Sequence, residues 1–396
     1  MTKTTLNVKL FGAKGDGVTD DTQAFLNLLK SVPNDTSPPD PHPRNAGPVM
    51  FIPEGVYVIS QTLEIKKFIG LEIRGSGASF AENVVAGSPF GPRTVLLWKG
   101  NDSSPMFLLE DIQGMTISDM TLFGRESSED DRCQALIQFK TSSVSSMPTF
   151  NNTIRNVAFW EAVVGIQCGT ENENGNACMY YEMVTFKNCN TGFQVNNSQS
   201  VNHLFNDLFA SGCEIILDLK KGGSVNVQTM GCTDCGYAIG KYAIEFREGG
   251  PNVGPSVITA FRYENVSRLL RVTGNHRLIC DGLGQSAGAP AVGVDDDPLI
   301  YLSGGGTVFI NGRWQFTQAI GAPTILGFRA PGTGNYCTVS FERSQFPFNE
   351  FAGEPPAFPV TSVIQNPNQA NCAWDFRRCD GPAHKPLPDA TSGDWD

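Results

Sequence analysis

Short runs of alternating apolar and polar residues fill this chain, and glycine, proline, asparagine and aspartate separate them. A period of two over four to eight residues reads as a half-buried strand. Thr5 to Phe11 alternates in this way and predicts one. Gly12, Gly15 and Gly17 then predict a tight loop. A helix follows: Asp20 with Gln23 reads as a capping box, and Ala24, Phe25, Leu28 and Leu29 form one apolar stripe. Such a stripe needs a hydrophobic surface to cover, and the open end of a solenoid is one. Residues 32–48 are too rich in proline, which lacks the N–H a ladder needs, and predict a surface excursion.

Beyond residue 48 the short strand patterns recur. Val157, Ala158 and Phe159 precede Gly165, and Val184, Thr185 and Phe186 precede Gly192. Phe159 to Phe186 spans 27 positions, as does Gly165 to Gly192. A weaker echo continues through Phe209 and Met230. The spacing suits a coil of three short strands and their turns. Asn156, Asn188, Asn190 and Asn206 fall near the turns, where asparagine tolerates left-handed backbone. The predicted architecture is an all-β solenoid of parallel strands in four parts. Residues 1–48 form an N-terminal cap and residues 49–282 a parallel β-helix. Residues 283–350 are final rungs or a small β domain, and residues 351–396 an extended tail.

The run from Phe11 to Phe25 carries a resemblance, together with Phe51-Ile-Pro-Glu-Gly-Val-Tyr57 and Ile73-Arg-Gly-Ser-Gly77. It resembles the N-terminal signature of the pectate-lyase-like superfamily of right-handed parallel β-helices. That superfamily includes phage tailspikes and depolymerases, polygalacturonase-like hydrolases and fungal β-glucanases. The resemblance covers about the first 77 residues and is architectural beyond them. It implies a fold that handles carbohydrate. Its residues build the cap, so Asp16, Asp20 and Asp21 read as cap and loop residues.

Composition narrows the function. The net charge of −11 argues against nucleic acid, whose binding needs clustered Lys and Arg. No stretch approaches the roughly 18 apolar residues of a membrane span. The N-terminus is too polar for a signal peptide, so an extracellular or virion-surface location implies a trimmed signal or release by lysis. The 11 cysteines are an odd number. Cys168, Cys189, Cys213, Cys232 and Cys235 fall within apolar rungs and read as small core hydrophobes. Cys372 and Cys379, in a polar region, are the disulfide candidates. Cys232 and Cys235 form a CxxC without the second ligand pair of a zinc site. No cofactor motif is present, and no metal or cofactor is expected.

Glycan-cleaving chemistry needs paired carboxylates, and a cation where the sugar is acidic. The polygalacturonase and Arg-rich pectate lyase patterns are absent, and Asp295-Asp-Asp297 lacks their other elements. In Phe261-Arg-Tyr-Glu264, inward Phe261 and Tyr263 would leave Arg262 and Glu264 on one exposed face. Glu245 and Arg247 flank Phe246 in the same way. Asp207 and Asp234 lie on neighbouring rungs and converge in one register only. The catalytic candidates are therefore Glu264, Arg262, Asp234 and Asp207, and the substrate-binding candidates Arg247, Glu245 and Trp160. Trp314 and Tyr237 are further aromatics that suit sugar stacking. The expected function is a virion-associated, tailspike-like or secreted polysaccharide-cleaving protein. It would act on a capsular or exopolysaccharide as a glycoside hydrolase or lyase, as a homotrimer. The alternative is a non-catalytic phage spike, collar or capsid decoration contacting other virion proteins through the C-terminal tail.

Overall fold

The computed structural model describes residues 4–32, 47–78, 93–101, 103–124, 132–142, 148–170, 175–238, 240–248, 254–266, 268–281 and 298–311, with the strands at 326–328, 337–342, 364–365, 372–377 and 390–391. Residues 1–209 and 210–396 form two compact units. Both are built from parallel strands, and the second adds an antiparallel pairing, of Cys372–Arg377 with Ala390–Thr391.

In the first unit one sheet runs through Leu63–Lys66, Pro105–Glu110, Ala135–Lys140, Val164–Cys168 and Thr191–Val195. Alternation sends Phe107, Ile137, Ile166 and Phe193 inward as one buried column, and Leu109, Phe139, Cys168 and Val195 as another. Between them Leu108, Gln138, Gln167 and Gln194 face outward and stay partly exposed. A second ladder joins Thr116–Phe123, Thr153–Trp160 and Met179–Lys187. Phe159 pairs with Phe186, and Gly165 sits opposite Gly192, so the 27-residue repeat is one coil.

Each coil turns at residues in left-handed backbone. Asp119, Asn156 and Met183 bend the second ladder in mid-strand, and Glu161 and Asn188 bend it at its end. Side chains bridge successive bends: Asn156 Nδ2 donates to Asp119 Oδ1 at 2.9 Å and Asn188 Nδ2 to Glu161 Oε1 at 3.0 Å. Asn156 and Asn188 thus occupy the backbone expected of them. Asn190 and Asn206 do not; among the described residues the other left-handed asparagines are Asn151, Asn202 and Asn265. Phe209 departs from the predicted echo and is 45% exposed while Leu208 and Ala210 are buried. The bend at Asp207 (φ 64°) resets the alternation ahead of it.

The N-terminus differs in detail. Of the predicted strand only Thr5–Asn7 forms, Val8–Phe11 makes a 3-10 turn closed by Gly12 at φ 102°, and Asp16–Asp20, beginning within the predicted loop, is a strand paired with Gly55–Ile59. The helix Thr22–Ser31 buries Ala24, Phe25, Leu28 and Leu29 and packs near Leu63–Lys66. No capping box forms, because Gln23 bonds Asn27 instead. Asp20 Oδ1 accepts from Thr22 N, and Asp20 Oδ2 from the Ser60 hydroxyl. Asp21 accepts from the Lys14 and Gly15 amides at 2.6 and 3.1 Å. Asp16 accepts from the Val18 and Thr19 amides. Asp21 stands at the helix N-cap, while Asp16 and Asp20 begin and end the strand Asp16–Asp20 rather than lying in a loop.

In the second unit one sheet runs through Ile215–Lys221, Ile244–Glu248, Leu270–Val272, Ile300–Leu302, Leu326–Phe328 and Ile364–Gln365. Another joins Val225–Val227, Ser256–Thr259, Arg277–Asp281, Thr307–Asn311, Cys337–Glu342 and Cys372–Arg377. Parallel pairing therefore continues into the stretch expected to be an extended tail. Cys372-Ala-Trp-Asp-Phe-Arg377 alternates well enough to make a rung. Cys168, Cys189, Cys213, Cys232 and Cys235 are all buried. Cys189, Cys213 and Cys235 each follow a left-handed residue and donate their thiol to the carbonyl two residues back. The Pro-rich residues 33–46, Asp295–Asp297, Trp314 and Cys379 lie outside the described residues.

Candidate active site

The inner columns of the second unit's first sheet are Leu217, Ile244, Leu270 and Ile300, and Leu219, Phe246, Val272 and Leu302. Between them an outward column reads Asp218, Glu245, Arg271 and Tyr301, one residue per coil. The matching outward column of the first unit is half wet. Here Asp218 is 0% and Glu245 1% exposed, although both point away from the core. Two adjacent carboxylates without water are costly unless cations and donors compensate them.

Arg247, two residues beyond Glu245 and therefore on the same face, supplies the compensation. Its Nη2 donates to Asp218 Oδ2 at 2.8 Å. Its Nε lies 2.9 Å from Glu245 Oε2, an ion pair by distance without hydrogen-bond alignment. The other Glu245 oxygen accepts from the Tyr242 amide at 3.0 Å. Arg271 stands one coil further on. Its guanidinium donates to the Gly240 carbonyl at 3.3 Å and lies 6.0 Å from the Tyr242 ring and 5.7 Å from the Tyr301 ring. Burial pushes the Glu245 carboxyl upward; the Tyr242 amide, Arg247 and Arg271 pull it down, while Asp218 adds to the rise. The result is a buried carboxyl disposed to hold a proton, beside a carboxylate gripped by arginine. Neighbouring parallel strands lie about 4.8 Å apart, which sets the scale of the separation between the pair.

Sequence reasoning named Glu245 and Arg247 but missed Asp218 and Arg271. The missing signal was pairing register: Asp218 in Ile-Ile-Leu-Asp-Leu reads as an interruption of an apolar run until the coils are aligned. The strand Phe261–Glu264 has the expected alternation, with Phe261 and Tyr263 buried and Arg262 and Glu264 exposed. It pairs with Met230–Thr233 in a different sheet, so Arg262 and Glu264 are not brought to Glu245 and Arg247. Asp234 and Asp207 are both exposed residues at left-handed bends (φ 54° and 64°). Asp234 accepts from the Thr233 hydroxyl at 3.2 Å and from Asn265 Nδ2. Trp160 is 3% exposed, beneath Lys187, whose ammonium lies 4.8 Å from its ring. Tyr237 is 46% exposed. Among the described residues no group of three or more His, Cys, Asp or Glu is placed to hold a metal ion. Among them, too, no helix is long and apolar enough to cross a membrane.

Residues 5–239 match the model of a family described as rhamnogalacturonase A/epimerase, pectate lyase-like. A curated relative, the non-secreted LysM effector LysM19 of Penicillium expansum, is 37% identical over 83 residues. That match spans 19% of this chain and 6% of the relative's length. Among solved structures, DFA-IIIase of Arthrobacter chlorophenolicus A6 superposes with a TM-score of 0.62 at 12% identity, covering 98% of this chain and 96% of the other. The enzymatically active domain of bacteriophage CBA120 tailspike protein 2 gives 0.60 at 12% identity, covering 86% of this chain and 48% of the other. At such identities the likeness to solved structures is one of fold. The chain belongs to the pectate-lyase-like rhamnogalacturonase A/epimerase family.

Proposed function

We propose that this member of the family is a polysaccharide-cleaving enzyme whose reaction centre is the pair Asp218 and Glu245. The observation that carries the reading is the complete burial of two adjacent carboxylates on the outward face of a sheet. Glu245, pushed upward by burial, serves as the proton donor to the glycosidic oxygen. Asp218, gripped by Arg247, serves as the second carboxylate and attacks the sugar as the glycosidic oxygen leaves with the Glu245 proton; Glu245, now a base, then activates the water that releases the sugar. A separation on the order of 5 Å falls with nucleophile-using, retaining glycosidases. Arg247 and Arg271 stabilise charge that develops at the pair, and Tyr301 offers a ring to a sugar face. The substrate is a capsular or exopolysaccharide, met outside the cell or at a virion surface.

The test is a glycan panel read for new reducing ends and for unsaturated sugar. Glu245→Gln and Asp218→Asn should each lower turnover by about 10² to 10⁴ while circular dichroism stays unchanged. Loss of turnover on Glu264→Gln instead would move the site to the Arg262 and Glu264 face. A second reading, a non-catalytic virion component, draws on the same burial: a carboxylate pair closed by arginine also serves as an internal brace. It predicts that the panel yields no product and that Glu245→Gln lowers only stability.

A further inference from the structure

Something must keep Asp218 and Glu245 dry on a face that is wet elsewhere. The segment 240–242 lies against this face. Gly240 carries the left-handed φ of +69°, with open space where a Cβ would stand. Its carbonyl accepts from Arg271 Nη1, and two residues on the Tyr242 amide donates to Glu245 Oε1. The Tyr242 ring lies within cation–π range of the same Arg271 guanidinium, as does Tyr301 of the next coil. Arg271 and Glu245 are direct register partners. The segment is thus held at both ends by neighbours in one outward column. Two of these fastenings are on Arg271.

We infer that Arg271 is a positioning residue for Glu245: it latches segment 240–242 against the sheet and so holds the Tyr242 amide on the carboxylate. The structure is then the closed state of the site, with Gly240 as hinge, and a glycan reaches the pair when the latch releases. This inference rests on the reading of the pair as the reaction centre. The hydrogen bonds that the segment makes, an N–H to Glu245 and an oxygen to Arg271, are those that sugar hydroxyls would make in its place.

Two measurements test the latch without a glycan. Hydrogen exchange of the wild-type protein should show the amides of 240–242 opening locally, at least about tenfold faster than those of Ile244–Glu248. Exchange of both sets only together, by global unfolding, would overturn the inference. Labelling with a water-soluble carbodiimide and an amine should modify Glu245 about tenfold faster in Arg271→Gln than in wild type, as expected for one lost bond to a charged group. The melting temperature should fall by only about 3–6 °C, the share of one such bond, and Arg271→Lys, which keeps a donor and the charge, should restore most of the protection. Unchanged labelling and unchanged Tyr242 exchange in folded Arg271→Gln would also overturn it. If that variant does not fold, the wild-type exchange comparison decides. An inactive glycan panel with a working latch would sink the catalytic reading alone, and an active enzyme whose Arg271→Gln variant stays protected would sink the latch alone.

Discussion

At the scale of single residues, the coil depends on positions that most side chains avoid. Left-handed backbone costs an ordinary L-residue roughly 1–2 kcal/mol, and asparagine and aspartate bear it best. Asn156, Asp207 and Asp234 fit this rule, but Met183 (φ 50°) does not. It is 45% exposed and buries too little surface to offset the strain. Met183→Asn should therefore stabilise the protein by about 0.5–1 kcal/mol, read as a shift in the urea midpoint at constant slope. A destabilised variant would mean that the methionine packs more strongly than its exposure suggests. The same rule recasts two candidate catalysts. Asp234 and Asp207 are bend residues, so Asp234→Asn should preserve both stability and any glycan cleavage. A general acid or base at that position would lose activity on the same change.

At the scale of elements, Gly165 shows why the repeat was readable. A Cβ there would meet the Gly192 carbonyl oxygen at 2.6 Å and the Phe186 ring at 2.7 Å. Close passage of the next coil demands glycine at 165, and the glycine recurs 27 positions on at Gly192. Gly165→Ala should cost about 1–3 kcal/mol through overpacking, with thermal unfolding as the readout; a cost below about 0.5 kcal/mol would show that the coils can part. Features repeated from coil to coil were legible in this way: the inward columns, the buried thiols of Cys189, Cys213 and Cys235, and two of the four asparagines expected at bends, Asn156 and Asn188. Features made by one coil against the next were not. Asp218 gains meaning only beside Glu245, and Arg262 and Glu264 looked equally good because alternation alone cannot tell which sheet a strand joins. The helix cap failed for a similar reason. Asp20 and Gln23 satisfy a local rule, yet Ser60, just past the strand Gly55–Ile59, takes one Asp20 oxygen.

At the scale of the whole molecule, two buried histidines set its response to acid. His203 packs beside the aromatic rings of Tyr181 and Phe193, with its Nδ1 3.3 Å from the Tyr181 hydroxyl. Burial pulls it down to about 3. His276 stacks on Phe246, faces the Glu248 carbonyl at 3.3 Å and is pulled down by burial to about 4. Both stay neutral in the folded protein where the unfolded chain, near 6.5, takes up protons. Between about pH 6.5 and 4 the unfolded state thus binds more protons, and stability falls as the pH falls. Each histidine contributes at most about 1.4 kcal/mol per pH unit. Glu245 works in the opposite sense, because a carboxyl raised by burial binds its proton first in the folded state. Urea titrations at pH 7 and pH 5 should show a clear loss at the lower pH, smaller in a folded His276→Gln variant and larger in Glu245→Gln. Equal stability at both pH values in wild type and in Glu245→Gln alike would mean that water or protons reach these rings, contrary to their burial. A steep loss would confine this protein to neutral surroundings and fix the range over which its glycan assays are meaningful.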